Sequence, residues 1–131
     1  MQKIEVNTIV TEQASDKYIN GRAWRNRLVN DEAAGCTLSV ATFEAGSRTH
    51  WHWHPTVQIL IAESGVGYVQ KRGEKKQFMH PGDVVVIFTG EEHWHGATPN
   101  NMFTHTTIQL VKDDATITGE VNEKQYSEGV I

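Results

Sequence analysis

Residues 46–65, GSRTHWHWHPTVQILIAESG, carry the strongest structural signal in this sequence. Three histidines, His50, His52 and His54, alternate with tryptophans. Along a β-strand, residues two apart point to the same face, so a strand here would present all three imidazoles together. Neutral imidazole is a common ligand of Zn, Cu, Fe and Ni. The stretch therefore predicts a strand with a metal-binding face, and the spacing alone leaves open which two histidines bind.

Similar strand-forming runs recur along the rest of the chain. They are rich in β-branched and aromatic residues and are bounded by Gly, Pro or Asn, which is typical of an all-β sandwich or barrel. The predicted strands are Lys3–Val10, Arg22–Leu28, Cys36–Phe43, Arg48–His54, Val57–Ala62, Gly67–Lys71, Lys76–His80, Asp83–Phe88, His93–Ala97 and Phe103–Val111. A short helix is predicted near Val121–Glu128.

Size and charge restrict the function of the chain. A length of 131 residues is typical of one domain. With 12 Lys and Arg against 16 Asp and Glu, the sequence offers no basic surface for a phosphate backbone, so we do not expect nucleic acid as a partner. No run approaches the about 18 apolar residues of a membrane span, and no leader pattern is present. These features predict a cytoplasmic protein that does not bind a membrane.

Two of the predicted strands are apolar on both faces. They are the runs Val57–Ala62 and Val84–Phe88. Strands of this kind are usually covered on both sides. One side would face the interior of a small barrel, and the other needs a second layer, for which another copy of the chain is the most economical source. We therefore expect a homodimer or homotetramer.

The histidine-rich stretch resembles the first cupin motif, in which a Gly precedes His-x-His and a third ligand follows three or four residues later. This resemblance implies that His52 and His54 are the metal-binding pair, because Gln58 then occupies the third position. The run PGDVVVIFTGEEHWHG, 81–96, resembles the second cupin motif, and its Gly90-x-x-His93 spacing implies His93 as the fourth ligand. Thr89 stands where many members carry proline, which affects the rigidity of the turn rather than the ligand set.

The resemblance implies the fold as well. We expect residues 1–131 to form a single cupin domain, a double-stranded jelly-roll barrel with its core at about 36–111. Gln58 replaces the usual glutamate of the family, so the implied ligands are all neutral. A divalent ion held by them would keep its full charge and act as a stronger Lewis acid, with open positions for water or substrate.

Two further histidines are candidate catalytic residues. His95 lies on the same strand face as His93, and His105 lies in the run FTHTTIQL. If the ligand face points inward, both project into the cavity. Imidazole titrates near neutrality, so either could move a proton for a bound substrate. Alternatively, each could be a core histidine that only hydrogen-bonds its neighbours.

Strand parity also predicts the lining of the substrate pocket. The predicted lining residues are Ser39, Ala41, His50, Leu60, Phe88 and Gln109. His50 belongs to no metal-binding spacing, so packing or hydrogen bonding is its expected role.

The segments TFEAGSRTHWHWHPTVQ, PGDVV, EEHWHGATP and MFTHTTIQ are similar to the small bacterial cupins that include the manganese-dependent hydroxynitrile lyases. This resemblance implies Mn²⁺ as the cofactor, with Fe²⁺, Ni²⁺ and Zn²⁺ as alternatives, and a small-molecule cyanohydrin as the substrate. The cavity histidines of that family correspond to His95 and His105.

Two other functions are compatible with the same residues. An iron-loaded site with two open positions would suit dioxygen chemistry on a small enolate or diketone. A cupin without catalytic activity would instead bind a sugar acid or another small anion. Cupins perform unrelated reactions on one fold, so the fold alone does not choose among these functions.

Overall fold

The computed structural model of the chain describes residues 1–110 and 115–129. Within them the strands are β1 (Glu12–Gln13), β2 (Ile19–Asn20), β3 (Ala23–Asp31), β4 (Cys36–Phe43), β5 (Arg48–Thr49), β6 (Trp51–Trp53), β7 (Gln58–Gly65), β8 (Gly67–Lys71), β9 (Gln77–Met79), β10 (Val84–Ile87), β11 (His93–Ala97), β12 (Phe103–Gln109) and β13 (Thr116–Gly119). Short 3₁₀ turns lie at Val6–Thr8 and Glu32–Ala34, and a short helix, α1, spans Glu123–Ser127.

The strands form two antiparallel sheets. The first has six strands in the order β1-β3-β4-β12-β7-β10. The second has the order β13-β6-β11-β5-β2, with β8 paired to β11 and β9 paired to β8. This arrangement confirms the predicted all-β jelly-roll class. No helix among the described residues is long and apolar enough to cross a membrane.

The main core lies between the two sheets. Its fully buried members include Leu60, Met79 and Phe103. Leu60 sits on the inward face of β7 because Gln58, Leu60 and Ala62 alternate with less buried residues. Alternation in the sequence thus places one face of β7 against this core.

A second apolar cluster lies on the outer face of the second sheet. Trp51 and Trp94 are buried there against Tyr68, Val121 and Tyr126. The C-terminal segment with α1 thus covers this face with the chain's own residues. The strands for which the sequence predicted cover by a second copy, β7 and β10, belong to the first sheet.

Gly96 lets two strands of the second sheet, β5 and β11, lie close together. It pairs with Arg48 of β5. A Cβ atom at Gly96 would lie 2.4 Å from the carbonyl oxygen of Ser47, so a larger residue would push β5 away from β11. Because His95 precedes Gly96, this close approach fixes the position of the histidine's backbone.

Several predicted strands need correction. Lys3–Val10 is not a strand, because its alternating apolar residues remain exposed and face no core. Arg48–His54 is divided at His50 into β5 and β6, and the His50 backbone N–H donates to the Tyr18 carbonyl in the register of the β2–β5 pair. The last predicted strand ends at Gln109, and its expected final residue, Val111, lies outside the described residues.

Candidate metal centre

The pairing of β6 with β11 brings two of the implied ligands together. His52 and His93 are directly opposite each other in the register, and their ring centroids lie 4.3 Å apart. Residues paired in this way point to the same face of a sheet. The His54 ring lies 5.1 Å from that of His52 and 5.6 Å from that of His93. All three side chains are buried.

Gln58 joins this group from the other sheet. It is the first residue of β7 and its side chain is buried. Its Oε1 atom lies 3.2 Å from Nε2 of His93. The four residues implied as ligands therefore meet where the two sheets face each other.

Backbone contacts set the tautomers of two of these histidines. Nδ1 of His52 lies 2.7 Å from the His50 carbonyl oxygen, and Nδ1 of His93 lies 2.8 Å from that of Glu91. A carbonyl oxygen only accepts, so each Nδ1 carries the proton and donates it. In a neutral ring, Nε2 is then a lone-pair donor for a metal ion.

Burial keeps these rings neutral. It lowers the pKa of His52 well below its ordinary value, with a further contribution from neighbouring His93. Burial also lowers the pKa of His93 to about 4. Charged forms are disfavoured because the surroundings solvate an imidazolium poorly. Near neutral pH both histidines are therefore in the form that binds metal.

The contact between Gln58 and His93 tests whether this donor set fits a cation. With Nδ1 of His93 protonated, its Nε2 presents a lone pair to the amide oxygen of Gln58, which also carries lone pairs. Two electron-rich atoms at 3.2 Å repel each other unless a positive charge is shared between them. The buried, neutral donors therefore fit a divalent cation.

His95 lies in the same cluster. The ligating atoms of His52, His93 and His95 lie within 4.8 Å of one another, so this group of three could also hold a metal ion. The sequence placed His95 on the face of His93 and assigned it to catalysis. Its position allows either role.

A chain of hydrogen-bonding groups runs from this cluster across the cavity. Nδ1 of His95 lies 3.1 Å from Nε2 of His105, and Nδ1 of His105 lies 3.1 Å from the Thr107 hydroxyl oxygen. Phe43 packs on both rings, edge-on to His95 and stacked with His105. Burial lowers the pKa of His95 well below its ordinary value, with His105 adding to the shift, and burial lowers that of His105 to about 4. Both are therefore neutral and able to accept a proton.

The cluster opens into a cavity of about 550 Å³. Its lining includes His54, Gln58, His95 and His105 together with three residues of the predicted pocket, which are Ser39, Ala41 and Gln109. Its volume suits a small organic molecule.

The other three predicted pocket residues lie elsewhere. Leu60 is buried in the core beneath the cavity. The His50 ring donates from Nε2 to the Asp16 carbonyl oxygen at 2.9 Å, which is the hydrogen-bonding role expected of it. Phe88 is 60% exposed, because it shares strand parity with Val84 and Val86, which lie on the outer face of β10 rather than the inner one.

Three polar residues that line the cavity were not assigned to it from the sequence. These are Thr107, beside His105, and the arginines Arg25 and Arg27. The alternation of the arginines on a predicted strand was the available signal, since it places both on one face.

Comparisons with known proteins give a consistent result. A sequence model of the cupin domain family matches residues 39–104. An (R)-mandelonitrile lyase from Granulicella tundricola is 45% identical over 87 residues, which cover 65% of this chain and 66% of that protein, just under two thirds of its length. An L-ectoine synthase from Vibrio cholerae is 23% identical over 74% of this chain and 72% of its own. A cupin-like protein from Thermotoga maritima superposes with a TM-score of 0.84 at 36% identity, over 90% of this chain and 92% of that one.

Proposed function

This chain belongs to the cupin family, and we propose that it is a metal-dependent lyase that cleaves and forms cyanohydrins from an aldehyde and cyanide. The observation that carries the proposal is the neutral His95–His105 pair, which lies directly beside a buried donor set in one cavity. The 45% identity to a protein named (R)-mandelonitrile lyase supports the choice of reaction.

We assign the metal to His52, His54, Gln58 and His93. A divalent cation at these residues would supply Lewis acidity, which lowers the pKa of a substrate hydroxyl group. Mn²⁺ is our first choice over Fe²⁺, Ni²⁺ and Zn²⁺ because the motifs resemble those of the manganese-dependent hydroxynitrile lyases. His52 and His93 offer Nε2 because their Nδ1 protons are held by backbone carbonyls.

His95 is the proposed base. If His105 accepts from Nδ1–H of His95 and donates its own Nδ1–H to Thr107, then Nε2 of His95 is free to take a proton. It accepts the hydroxyl proton of the cyanohydrin while the carbon–cyanide bond breaks. The O–H electron pair forms the aldehyde carbonyl, and cyanide leaves with the electrons of the broken bond. Cyanide then takes the proton from His95 and departs as HCN.

His105 supports this proton transfer without touching the substrate carbon. When His95 becomes positively charged, its Nδ1–H donates to the neutral Nε2 of His105, which stabilises the charge. Both imidazoles are buried, so the interaction is stronger than it would be in solvent. His105 also fixes the tautomer of His95.

The proposal is tested by loading the chelator-treated protein separately with Mn²⁺, Fe²⁺, Ni²⁺ and Zn²⁺. Release of benzaldehyde and cyanide from mandelonitrile is then measured at a pH where spontaneous decomposition is slow. We expect metal-dependent cleavage that His95→Ala abolishes. If the protein binds metal stoichiometrically but none of the four metals supports cleavage, the proposal is contradicted. It is also contradicted if oxygen uptake by the iron-loaded protein is the only reaction observed.

A further inference from the structure

Two arginines share the cavity with the histidines. Arg25 and Arg27 both line it, and they alternate on β3, so their side chains point to the same face. In the first sheet, Arg25 pairs with Ala41 and Arg27 pairs with Ser39. The arginines therefore lie on the inner face, facing the site.

The strand beyond β4 in this sheet is β12, which carries His105. On it, His105 pairs with Ala41 and Thr107 pairs with Ser39. Each arginine is thus two strands from the histidine chain, which corresponds to about 10 Å between backbones. Because the intervening side chains are small, the floor of the cavity between arginines and histidines is open.

The charge at this end of the cavity is positive. Among the described lining residues, the Lys, Arg, Asp and Glu side chains are Arg25, Arg27 and Glu12. The Glu12 carboxylate lies 3.2 Å from Nε of Arg27 and 3.9 Å from Nη2 of Arg25. One carboxylate shared by two guanidinium groups leaves a surplus positive charge, in a chain whose formal net charge is −4.

Their exposure places these arginines at the mouth. Their side chains are 44% and 49% exposed, so a ligand entering the cavity meets them first. Partial burial lowers the pKa of Arg25, and the adjacent charge of Arg27 adds to this effect. An anion bound between the two guanidinium groups would reduce the electrostatic repulsion between them. Guanidinium groups bind carboxylates with two parallel hydrogen bonds.

We propose that Arg25 and Arg27 bind a carboxylate on the far end of the substrate, so that a carboxylate-bearing cyanohydrin is the preferred substrate and an uncharged one such as mandelonitrile is a weaker one. The cyanohydrin part of this statement rests on the proposed function, whereas the carboxylate site does not. The two-strand separation requires a spacer, such as a benzene ring, between the carboxylate and the reacting carbon.

A pair of unreactive probes tests the site by binding alone. 4-(Hydroxymethyl)benzoate carries a hydroxyl group and a distant carboxylate, and its methyl ester has the same shape without the charge. Titration calorimetry with the purified protein should show the acid binding at least about tenfold more tightly than the ester, as expected for a charge-assisted hydrogen bond. Arg25→Gln and Arg27→Gln should each remove most of this preference, and affinity for the ester should stay the same.

Two further variants sharpen the test. Arg22→Gln is the matched control, because Arg22 is exposed and does not line the cavity. Glu12→Gln removes the competing carboxylate, so it should tighten binding of the acid several-fold. Equal affinities for acid and ester, no binding of either probe, or unchanged binding of the acid by both arginine variants would overturn the proposal. Charge discrimination without any cyanohydrin turnover would support the carboxylate site and reject the lyase function.

Discussion

Nε2 of His105 lies 3.1 Å from Nδ1 of His95, a contact that joins the two sheets across the cavity. Only one of these two nitrogens can carry the proton in the neutral pair. The Thr107 hydroxyl beside Nδ1 of His105 can accept or donate, so the chain of contacts is satisfied by two sets of tautomers. In the set in which His105 donates to Thr107, Nε2 of His95 is the proton acceptor that the proposed mechanism uses.

Removing His105 should lower turnover without removing the metal. We expect His105→Ala to reduce kcat by about 10²-fold or more, the usual contribution of a positioned acid–base group. Thr107→Val should have a smaller effect, about tenfold, because it removes only the end of the chain. Steady-state kinetics and metal analysis of the same samples check this.

Thr106→Val is the matched control for Thr107→Val. Thr106 lies on the opposite face of the same strand, where its hydroxyl donates to the exposed Glu63. Equal losses of kcat in the two variants would show that the hydroxyl at position 107 has no specific part in turnover.

Metal content separates the two possible ligand groups. We expect His52→Ala and His93→Ala to lose the metal, since both residues belong to either group. If the implied set is correct, His54→Ala and Gln58→Ala should also lose it, and His95→Ala should retain it. Elemental analysis of proteins purified without chelator gives the answer, with the exposed His80→Ala as the control. Loss of metal in His95→Ala together with retention in His54→Ala would move the site to the His52–His93–His95 group.

The metal-free protein should lose stability as the pH falls. Burial lowers the pKa of His105 to about 4, whereas in the unfolded chain it titrates near its ordinary value of 6.5. Between these values the unfolded state binds a proton that the folded state does not, so stability is present above pH 6.5 and declines as the pH falls toward 4. The whole difference in pKa between the folded and unfolded states corresponds to a loss of about 3 kcal/mol in the free energy of unfolding for this one histidine.

Urea unfolding of the metal-free protein between pH 7 and pH 5 measures this slope. His105→Gln should flatten it, because glutamine does not titrate. His80→Gln is the control for loss of a histidine at the surface. An unchanged slope in His105→Gln would show that this histidine contributes nothing to the acid sensitivity.

The sequence predicted the parts of this protein that depend on local spacing. Cys36–Phe43, Gly67–Lys71 and His93–Ala97 have the predicted bounds, because each ends at a turn signal. Alternation likewise placed His52 and His54 on the inner side of their strand. By contrast, β1, β2 and β13 have only two to four residues, which is too short for any periodicity.

What the sequence could not show depends on distant pairing. The contact between His95 and His105 requires the two sheets to face each other, and no local pattern specifies that distance. In the same way, nothing in the sequence around Trp94 indicates that Tyr126 of the C-terminal segment covers it. Lys3–Val10 has the alternation of a strand but no strand beside it to pair with.

Lys76 should hold the C-terminal segment in place. This lysine is fully buried, its ammonium group lies 4.2 Å from the ring centre of Tyr68, and it donates to the Tyr126 carbonyl. Lys76→Met keeps the aliphatic stem but leaves that carbonyl without its donor, which should cost about 1–3 kcal/mol. Thermal unfolding of Lys76→Met and of Lys75→Met, in which the replaced lysine is exposed, measures the difference in stability. Equal stability of the two variants would show that the ammonium group adds nothing.

The first sheet leaves apolar residues uncovered at its edge. β10 is the last strand in the order of that sheet, and Val84 and Val86 on its outer side are 57% and 44% exposed. An exposed edge strand presents unpaired backbone groups, and an antiparallel copy of itself satisfies them around a twofold axis. We propose that the chain forms a homodimer through β10, with the two valines buried between the copies.

Light scattering at micromolar concentration should give the dimer mass for the wild type. Val86→Glu should shift the measured mass to that of the monomer, because dimer formation would bury two carboxylates, one from each copy, close to each other. Val6→Glu is the control, since Val6 is also exposed but lies in the N-terminal segment outside both sheets. A dimer that survives Val86→Glu and Val84→Glu together would place the interface elsewhere, and a wild-type monomer would exclude it.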